Sequence, residues 1–393
     1  MMWLADRKLF ERFQARIDSY DPAAMPIAAK LRENAQRLCE QSIPAVTDKR
    51  PTPQSPSSDP HDYVSVGTYW WPNPDTADGL PYVKRDGLLS PDFALYDRPR
   101  WDAAADAMVQ TMRAAFLLRD RAFAHNAVQR LRTWFLNPDT RMNPHLNHAQ
   151  FIPGRHAGGP PGIIDFALYL PVVLDHIELL NSFSPSPWTA QDQEGLVTWC
   201  RALTTWLETS PLALREQQAE NNHGTYYDRF LITLRLFTGT RTAATELAGR
   251  VRDRVIHQIE PDGRAPRELK RTCSFGYSLM NAQGLLDIAY IARRLGDDLW
   301  NWSAPNGGSI PAAVRFMFDY ACSRDEWPFE QIEPIDWRMV ALMAQKANSM
   351  DPSHFDVAEM AHRLPANFDP IAFSVVAPLH PFGAERAPAT ARG

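Results

Sequence analysis

With 393 residues, 45% of them apolar, the chain is long enough for one large domain or two small ones around a sizeable core. Its net charge of -5 excludes the global basic field of a nucleic-acid binder, so a polyanionic partner would need a local basic patch. No apolar run reaches about 18 residues, which excludes a helical membrane span. The start, Met1 to Lys8, lacks an apolar h-region, so no signal peptide is visible.

Residues 1 to about 45 read as helical, with Leu31, Ala35, Leu38 and Cys39 at helical spacing. The Pro/Ser-rich run from Arg50 to Pro60, taken alone, is a flexible linker. From His61 to about Arg98 no period is sustained, and Pro72, Pro74, Pro81 and Pro91 punctuate the segment. Irregular stretches of this length are functional or disordered, and the aromatics here argue against disorder. From Trp101 the pattern turns α-helical, with a first stripe through Met108, Val109, Met112, Ala115 and Phe116. A second runs through Ala124, Ala127, Val128, Leu131, Trp134 and Phe135. Further helices are predicted over 164–181, 190–208, 228–238, 242–258, 277–295, 309–322 and 335–346, and strand-like alternation is scarce.

Helices joined by short connections pack antiparallel. The predicted fold class is therefore all-α: an α/α toroid, an incomplete α/α barrel of antiparallel helical hairpins with long functional loops. A helical solenoid is the alternative, but no fixed sequence period supports it. One catalytic domain is expected over 1–365, followed by a Pro/Ala-rich tail over 366–393 whose last residues, Glu385 to Gly393, are loose. The aromatics hint at sugar-stacking surfaces, although most are expected in the core. Cys39, Cys200, Cys273 and Cys322 lie far apart without metal or redox spacing; buried thiols or one disulfide both fit.

Four segments carry candidate chemistry. In the first, Tyr69, Trp70 and Trp71 offer ring faces to sugar C–H groups, and Lys84 or Arg85 could hold a carboxylate; the competing reading is a packed loop with a salt bridge to Asp86. The second runs from Arg141 to Gly162, where His148 and Gln150 are expected to meet sugar hydroxyls. The spacing of His145, His148 and His156 matches no standard zinc motif. The third, Asn221-Asn222-His223, precedes a helix expected to start near Tyr227; the bland reading makes Asn221 or Asn222 its N-cap. The fourth, Arg264 to Tyr277, opens with four cations in eight residues, for which the bland reading is a solvated basic face pairing with Glu268. An amide, an imidazole, a guanidinium and a phenol are the groups that β-elimination of a uronic-acid polymer needs. Asn222, His223 and Arg271 would neutralise the carboxylate, and Tyr277 would carry the protons. Opposed carboxylates for a glycoside hydrolase would have to come from Asp165, Glu220, Asp228 or Glu268, about 5 to 10 Å apart, and nothing in the sequence pairs them. A non-catalytic carbohydrate-binding protein has no need of the Asn/His/Arg/Tyr set.

Taken in order from about Lys49 to about Trp300, the segments resemble the alginate lyase domain family of polysaccharide lyases. The similar pieces are Pro56 to Ser65, Tyr69-Trp70-Trp71-Pro72, Pro81-Tyr82 with Arg85-Asp86-Gly87, and Thr133-Trp134-Phe135-Leu136. They continue with Arg141-Met142-Asn143-Pro144, Gly162-Ile163-Ile164-Asp165, Asn221 to Thr225 and Glu268 to Thr272. The resemblance implies an α/α toroid, eliminative cleavage of a uronate polymer, and catalytic roles for Asn222, His223, Arg271 and Tyr277. It implies no metal or cofactor, an anionic uronate polysaccharide as partner, neither nucleic acid nor membrane, and a periplasmic or secreted location. Tyr226, Tyr227 and Arg267 are further substrate-contact candidates, the two tyrosines also as fallback phenols. In alginate lyases proper the Arg-to-Tyr interval is one residue longer and would land on Ser278. The departure suggests a divergent branch similar to glucuronan-active lyases.

A free tyrosine has a pKa of about 10, so ionisation at neutral pH needs a neighbouring cation, which Arg271 would supply. In β-linked D-mannuronate and D-glucuronate the C5 hydrogen and O4 share a face, so Tyr277 would serve as base and then acid. His223 as base with Tyr277 as acid would suit L-guluronate.

Overall fold

A computed structural model describes residues 1–377 and 379, apart from Pro51, Pro53 and Ser353. The stretch expected to be loose, Glu385 to Gly393, lies outside the described residues. Helices dominate the rest, and the chain divides into two compact units: Met1–Glu216 with Val375–Gly393, and Gln217–Ser374. The single domain expected over 1–365 stands as a proposal beside this division.

In the first unit the helices are α1 (Arg7–Asp18), α2 (Ala24–Glu40), α3 (Arg98–Leu118), α4 (Arg121–Phe135), α5 (Ile164–Ala167), α6 (Leu170–His176), α7 (Ala190–Thr209) and α8 (Pro211–Gln217). Their ends follow from local chemistry. Asp120 caps α4 by accepting the Ala122 N–H at 2.9 Å, and Thr189 with Asp192 forms a capping box at the start of α7. The helix expected over 164–181 is broken into α5, α6 and a 3-10 turn, because Pro171 has no N–H to continue the ladder. α3 packs against α1, α2, α4 and α6. Its Trp101 stacks on Phe166 with centroids 4.2 Å apart, and Trp134 and Phe135 complete an aromatic core. The indole N–H groups of Trp101 and Trp134 reach the carbonyls of Asp165 and Pro44, which lets these large rings be buried without an unpaired donor.

The irregular segment after His61 holds short strands that a period-based reading misses: β1 (Val64–Val66), β2 (Trp70–Trp71) and β3 (Val83–Lys84), with β4 (His148–Phe151) later. β1 pairs in parallel with β4, and β2 antiparallel with β3. The described part of the Pro/Ser run is no linker. Ser57 Oγ donates to Asp62 at 2.7 Å, and Ser55 bonds the Ser57 carbonyl. All four cysteines are free thiols.

The second unit contains α9 (Asn222–Phe237), α10 (Arg241–Gln258), α11 (Pro266–Leu269), α12 (Ser274–Leu295), α13 (Ile310–Cys322), α14 (Trp337–Met350) and α15 (Pro370–Val376). α12 is buried around most of its circumference, as befits an apolar helix packed on α9, α10, α11, α13 and α14. Gly284 permits its closest approach to α9, since a Cβ there would lie 2.9 Å from Thr225 Cγ2 and Tyr226 Cε2. No helix among the described residues is long and apolar enough to cross a membrane.

Candidate active site

The Asn-Asn-His segment is not a loop before a helix. Asn221 is the N-cap, accepting the His223 N–H at 3.2 Å, and Asn222 is the first residue of α9. The cap starts the helix about a turn before the predicted start near Tyr227.

A clamp fixes this start. Arg254 of α10 donates from Nε to Asp228 at 2.8 Å, from Nη1 to the Ala219 carbonyl at 2.7 Å, and from Nη2 to the Gln217 carbonyl. Gln258, one turn on, donates to the Asn221 carbonyl at 3.2 Å. Burial pushes the Asp228 carboxyl above its usual range, against the pull of Arg254. Gly224 is needed here, because any Cβ would run into the Ala219 carbonyl and the Arg254 guanidinium. Thr225 Oγ lies 3.0 Å from Gln258 Oε1 and 2.8 Å from Asn281 Oδ1. The hydroxyl, with one proton to donate, sits where α9, α10 and α12 meet.

Beside the clamped turn sits Glu268 of α11, 1% exposed. Its Oε1 accepts the Asn222 main-chain N–H at 2.6 Å and its Oε2 the Asn222 Nδ2 at 2.7 Å. Burial raises its carboxyl; the Asn222 bonds and the charges of His223 and Arg271 pull the other way. Arg271, three residues on, lies over the Tyr277 ring with Cζ 3.8 Å from the centroid. Tyr277 is half-buried, whereas the next residue, Ser278, turns into the packed interior. The rotation of α12 thus leaves position 277, which carries the phenol, the more accessible of the two. Asn222 is thus hydrogen-bonded to Glu268, the charges of His223 and Arg271 act on the same carboxyl, and Arg271 in turn lies over Tyr277.

The other candidates in this unit are placed differently. Arg267 is exposed and paired with Glu220. Tyr226 and Tyr227 are buried. Burial pushes the Tyr226 phenol up to about 12, and Arg229 lies over its ring.

In the first unit, the β2–β3 pair places Trp70 opposite Lys84, with Arg85 Cζ 4.6 Å from the Trp71 ring centroid and Arg155 Cζ 5.2 Å from that of Trp70. Tyr69 accepts the Arg85 N–H at its carbonyl, and exposed Lys84 pairs with Asp86 at 3.6 Å. Gln150 donates to Asp165 at 2.8 Å, within a buried knot that also holds Tyr63, Ser65 and Arg98. His148 and His145 both turn Nε2 toward Asp62, at 3.4 and 3.1 Å. Burial raises the Asp62 carboxyl, but bonds from His145, His148, Asn143 and Ser57 outweigh it and hold the group far below the usual carboxylate range. His156 is held separately, by a backbone bridge to Ile152. No group of three or more His, Cys, Asp or Glu among the described residues is arranged to hold a metal ion.

Sequence reasoning missed the clamp and the role of Glu268, which it treated as a surface partner or a hydrolase candidate. Glu268 lies 46 residues from Asn222, and no local pattern joins them.

The family model for alginate lyase matches residues 45–327. An alginate lyase from Bacteroides ovatus is 33% identical, with 96% of this chain and 99% of that one covered and a TM-score of 0.87. Alginate lyase A1-III from Sphingomonas species A1 is 13% identical over 88% of this chain and 94% of its own, with a TM-score of 0.51. A histidine-to-alanine form of alginate lyase A1-III complexed with a tetrasaccharide matches at 14% identity over 88% and 93%, also with a TM-score of 0.51. These last two carry likeness of fold alone. No curated protein matches significantly. The fold class is the expected one, all-α of the α/α-toroid type.

Proposed function

The chain belongs to the alginate lyase family, and from that premise we propose that it cleaves a β-1,4-linked uronate polymer, polymannuronate or glucuronan, leaving unsaturated uronate ends. It is a polysaccharide lyase. The geometry about Glu268 supports the roles proposed for its residues.

Cancelling the charge of the C6 carboxylate acidifies the neighbouring C5 proton. Asn222, His223 and Arg271 supply an amide, an imidazole and a guanidinium for that purpose, and they stabilise the enolate-like intermediate as charge moves onto it. Asn222 is fully covered in this structure. In this reading substrate displaces the side chains above it.

Tyr277, as phenolate, takes the C5 proton. The C5–H electron pair becomes the C4–C5 double bond, and the C4–O4 bond breaks. The same phenol returns the proton to the departing O4. One group serves both steps in mannuronate and glucuronate, whose C5 hydrogen and O4 share a face. The observation that carries this reading is the Arg271 guanidinium 3.8 Å from the Tyr277 ring. A cation against the ring favours the anionic phenolate over the neutral phenol.

The hydrolase alternative loses its candidates in turn. Asp228 is bound to Arg254, Glu220 to Arg267, Asp165 to Arg98, and Glu268 spends both oxygens on Asn222. Tyr69, Trp70, Trp71 and Arg85 remain proposed as a carbohydrate-contacting surface, as do His148 and Gln150.

Polymannuronate, polyguluronate, glucuronan and hyaluronan, incubated side by side, give the test. Ultraviolet absorbance of an unsaturated sugar end should rise with polymannuronate or glucuronan. New reducing ends without that absorbance would refute elimination.

A further inference from the structure

Glu268 is an unfavourable group to bury. It is almost wholly covered, and its two oxygens are spent on the uncharged donors of Asn222. A carboxylate is costly to bury, and an apolar contact would tie α11 to α9 at less cost. Such groups collect at functional sites.

Both oxygens serve one residue. Oε1 holds the main chain of Asn222 and Oε2 holds its amide. Among the described residues Asn222 has no other side-chain partner, and its Oδ1 is buried and unbonded. Three residues along, the Arg271 N–H donates to the Glu268 carbonyl at 3.1 Å. The same short turn therefore sets the backbone of both charge-cancelling groups.

The terminal torsion of an asparagine is broad and nearly two-fold, so an unheld amide offers oxygen about as readily as N–H. Against a substrate carboxylate those two faces have opposite effects. An amide nitrogen has two N–H groups; when one is fixed on Glu268, the other has a defined direction.

We propose that Glu268 is a positioning residue for Asn222, its carboxylate setting the face of the amide that meets the substrate's carboxylate beside His223 and Arg271. This rests on the lyase reading above. It adds a residue that acts through Asn222 without touching substrate.

The test uses Glu268→Gln in the full chain. The Gln oxygen can still accept the Asn222 main-chain N–H, but its NH2 would then face the Asn222 NH2. Asn222 must turn over so that Oδ1 accepts. Both side chains stay bonded to each other and the buried charge is gone, which offsets the turned NH2 in the unpartnered position, so the variant should keep about the wild-type melting temperature. With the amide reversed, kcat on the best uronan should fall about a hundredfold while KM changes little. Glu268→Asp keeps the charge on a shorter arm and should lie between the two.

In an Asn222→Ala background, Glu268→Gln should cost nothing further, because nothing is left to position. A folded Glu268→Gln enzyme with wild-type kcat would overturn the proposal. So would an equal loss with and without Asn222. Should Glu268→Gln fail to fold, the same comparison is made with Glu268→Asp, and wild-type kcat there overturns it. Wild-type turnover keeps the two readings apart. Failure of the variants alone removes the positioning role, whereas a wild type that makes no unsaturated product on any uronan removes the lyase reading and this inference with it.

Discussion

Replacing Gly224 by alanine tests whether the clamp below α9 matters for chemistry. Alanine is the better helix former by about 1 kcal/mol, so propensity alone predicts a more stable protein. The packing predicts the opposite. A Cβ at 224 would lie 2.5 Å from Arg254 Nη1 and closer still to the Ala219 carbonyl, where ordinary contact begins at 3.4 Å. The guanidinium must retreat by about 0.9 Å, yet it is held by Asp228, Ala219 and Gln217. Losing one such charged hydrogen bond costs about 1.5–3 kcal/mol, which outweighs the propensity gain. Net destabilisation of about 0.5–2 kcal/mol is expected in denaturant unfolding. Because His223 is the preceding residue, a shift of this size should also lower kcat by about a hundredfold in the absorbance assay. Gly249→Ala is the control: it lies within α10 with its nearest neighbour, Arg252 Nη1, at 3.7 Å, and should gain stability with unchanged activity. A Gly224→Ala enzyme as stable as the Gly249→Ala control, with wild-type kcat, would refute the clamp.

Tyr277→Phe keeps a ring beneath Arg271 but removes the hydroxyl; elimination should cease while oligouronate binding, followed by intrinsic fluorescence, persists. Substantial turnover in that variant would displace Tyr277 from both proton transfers. Arg271→Lys keeps the charge but loses the planar face over the phenol, so kcat should drop at least about tenfold, and an unchanged kcat would show the stacking to be incidental. For His176, burial and then the charge of Arg113 push the imidazole well below its ordinary range; its Nε2 accepts from Arg113 at 3.0 Å and its Nδ1 meets the Val172 carbonyl at 2.8 Å. Below about pH 6.5 the unfolded chain takes up a proton that the folded one refuses, so the stability present above that pH is lost on acidification, by up to about 1.4 kcal/mol per unit. Denaturation midpoints at about pH 7 and about pH 5.5 should therefore differ less in His176→Gln than in the wild type, and equal differences would count against the buried pair.

Much of the architecture was written locally. The helical stripes through Met108 and Leu131 became α3 and α4, and the break left between the helices predicted over 228–238 and 242–258 is the one that separates α9 from α10. Where the sequence misled, the cause was short range or singular: Pro171 interrupts one predicted helix, Asn221 starts another earlier, and strands of two to four residues are too short to sustain a period. The candidate residues Asn222, His223, Arg271 and Tyr277 were legible as an ordered set of types, because their chemistry and their neighbours in the chain mark them.

Their mutual geometry was not legible. Glu268 meets Asn222 across 46 residues, Arg254 grips a carbonyl 35 residues away, and the turn of α12 decides that Tyr277 faces Arg271 while Ser278 faces inward. The sequence by itself determined which groups are present and that helices present them. Only the tertiary structure decided which carboxylate is buried and what it holds, because desolvation and hydrogen-bond direction depend on neighbours brought together by packing rather than by chain order.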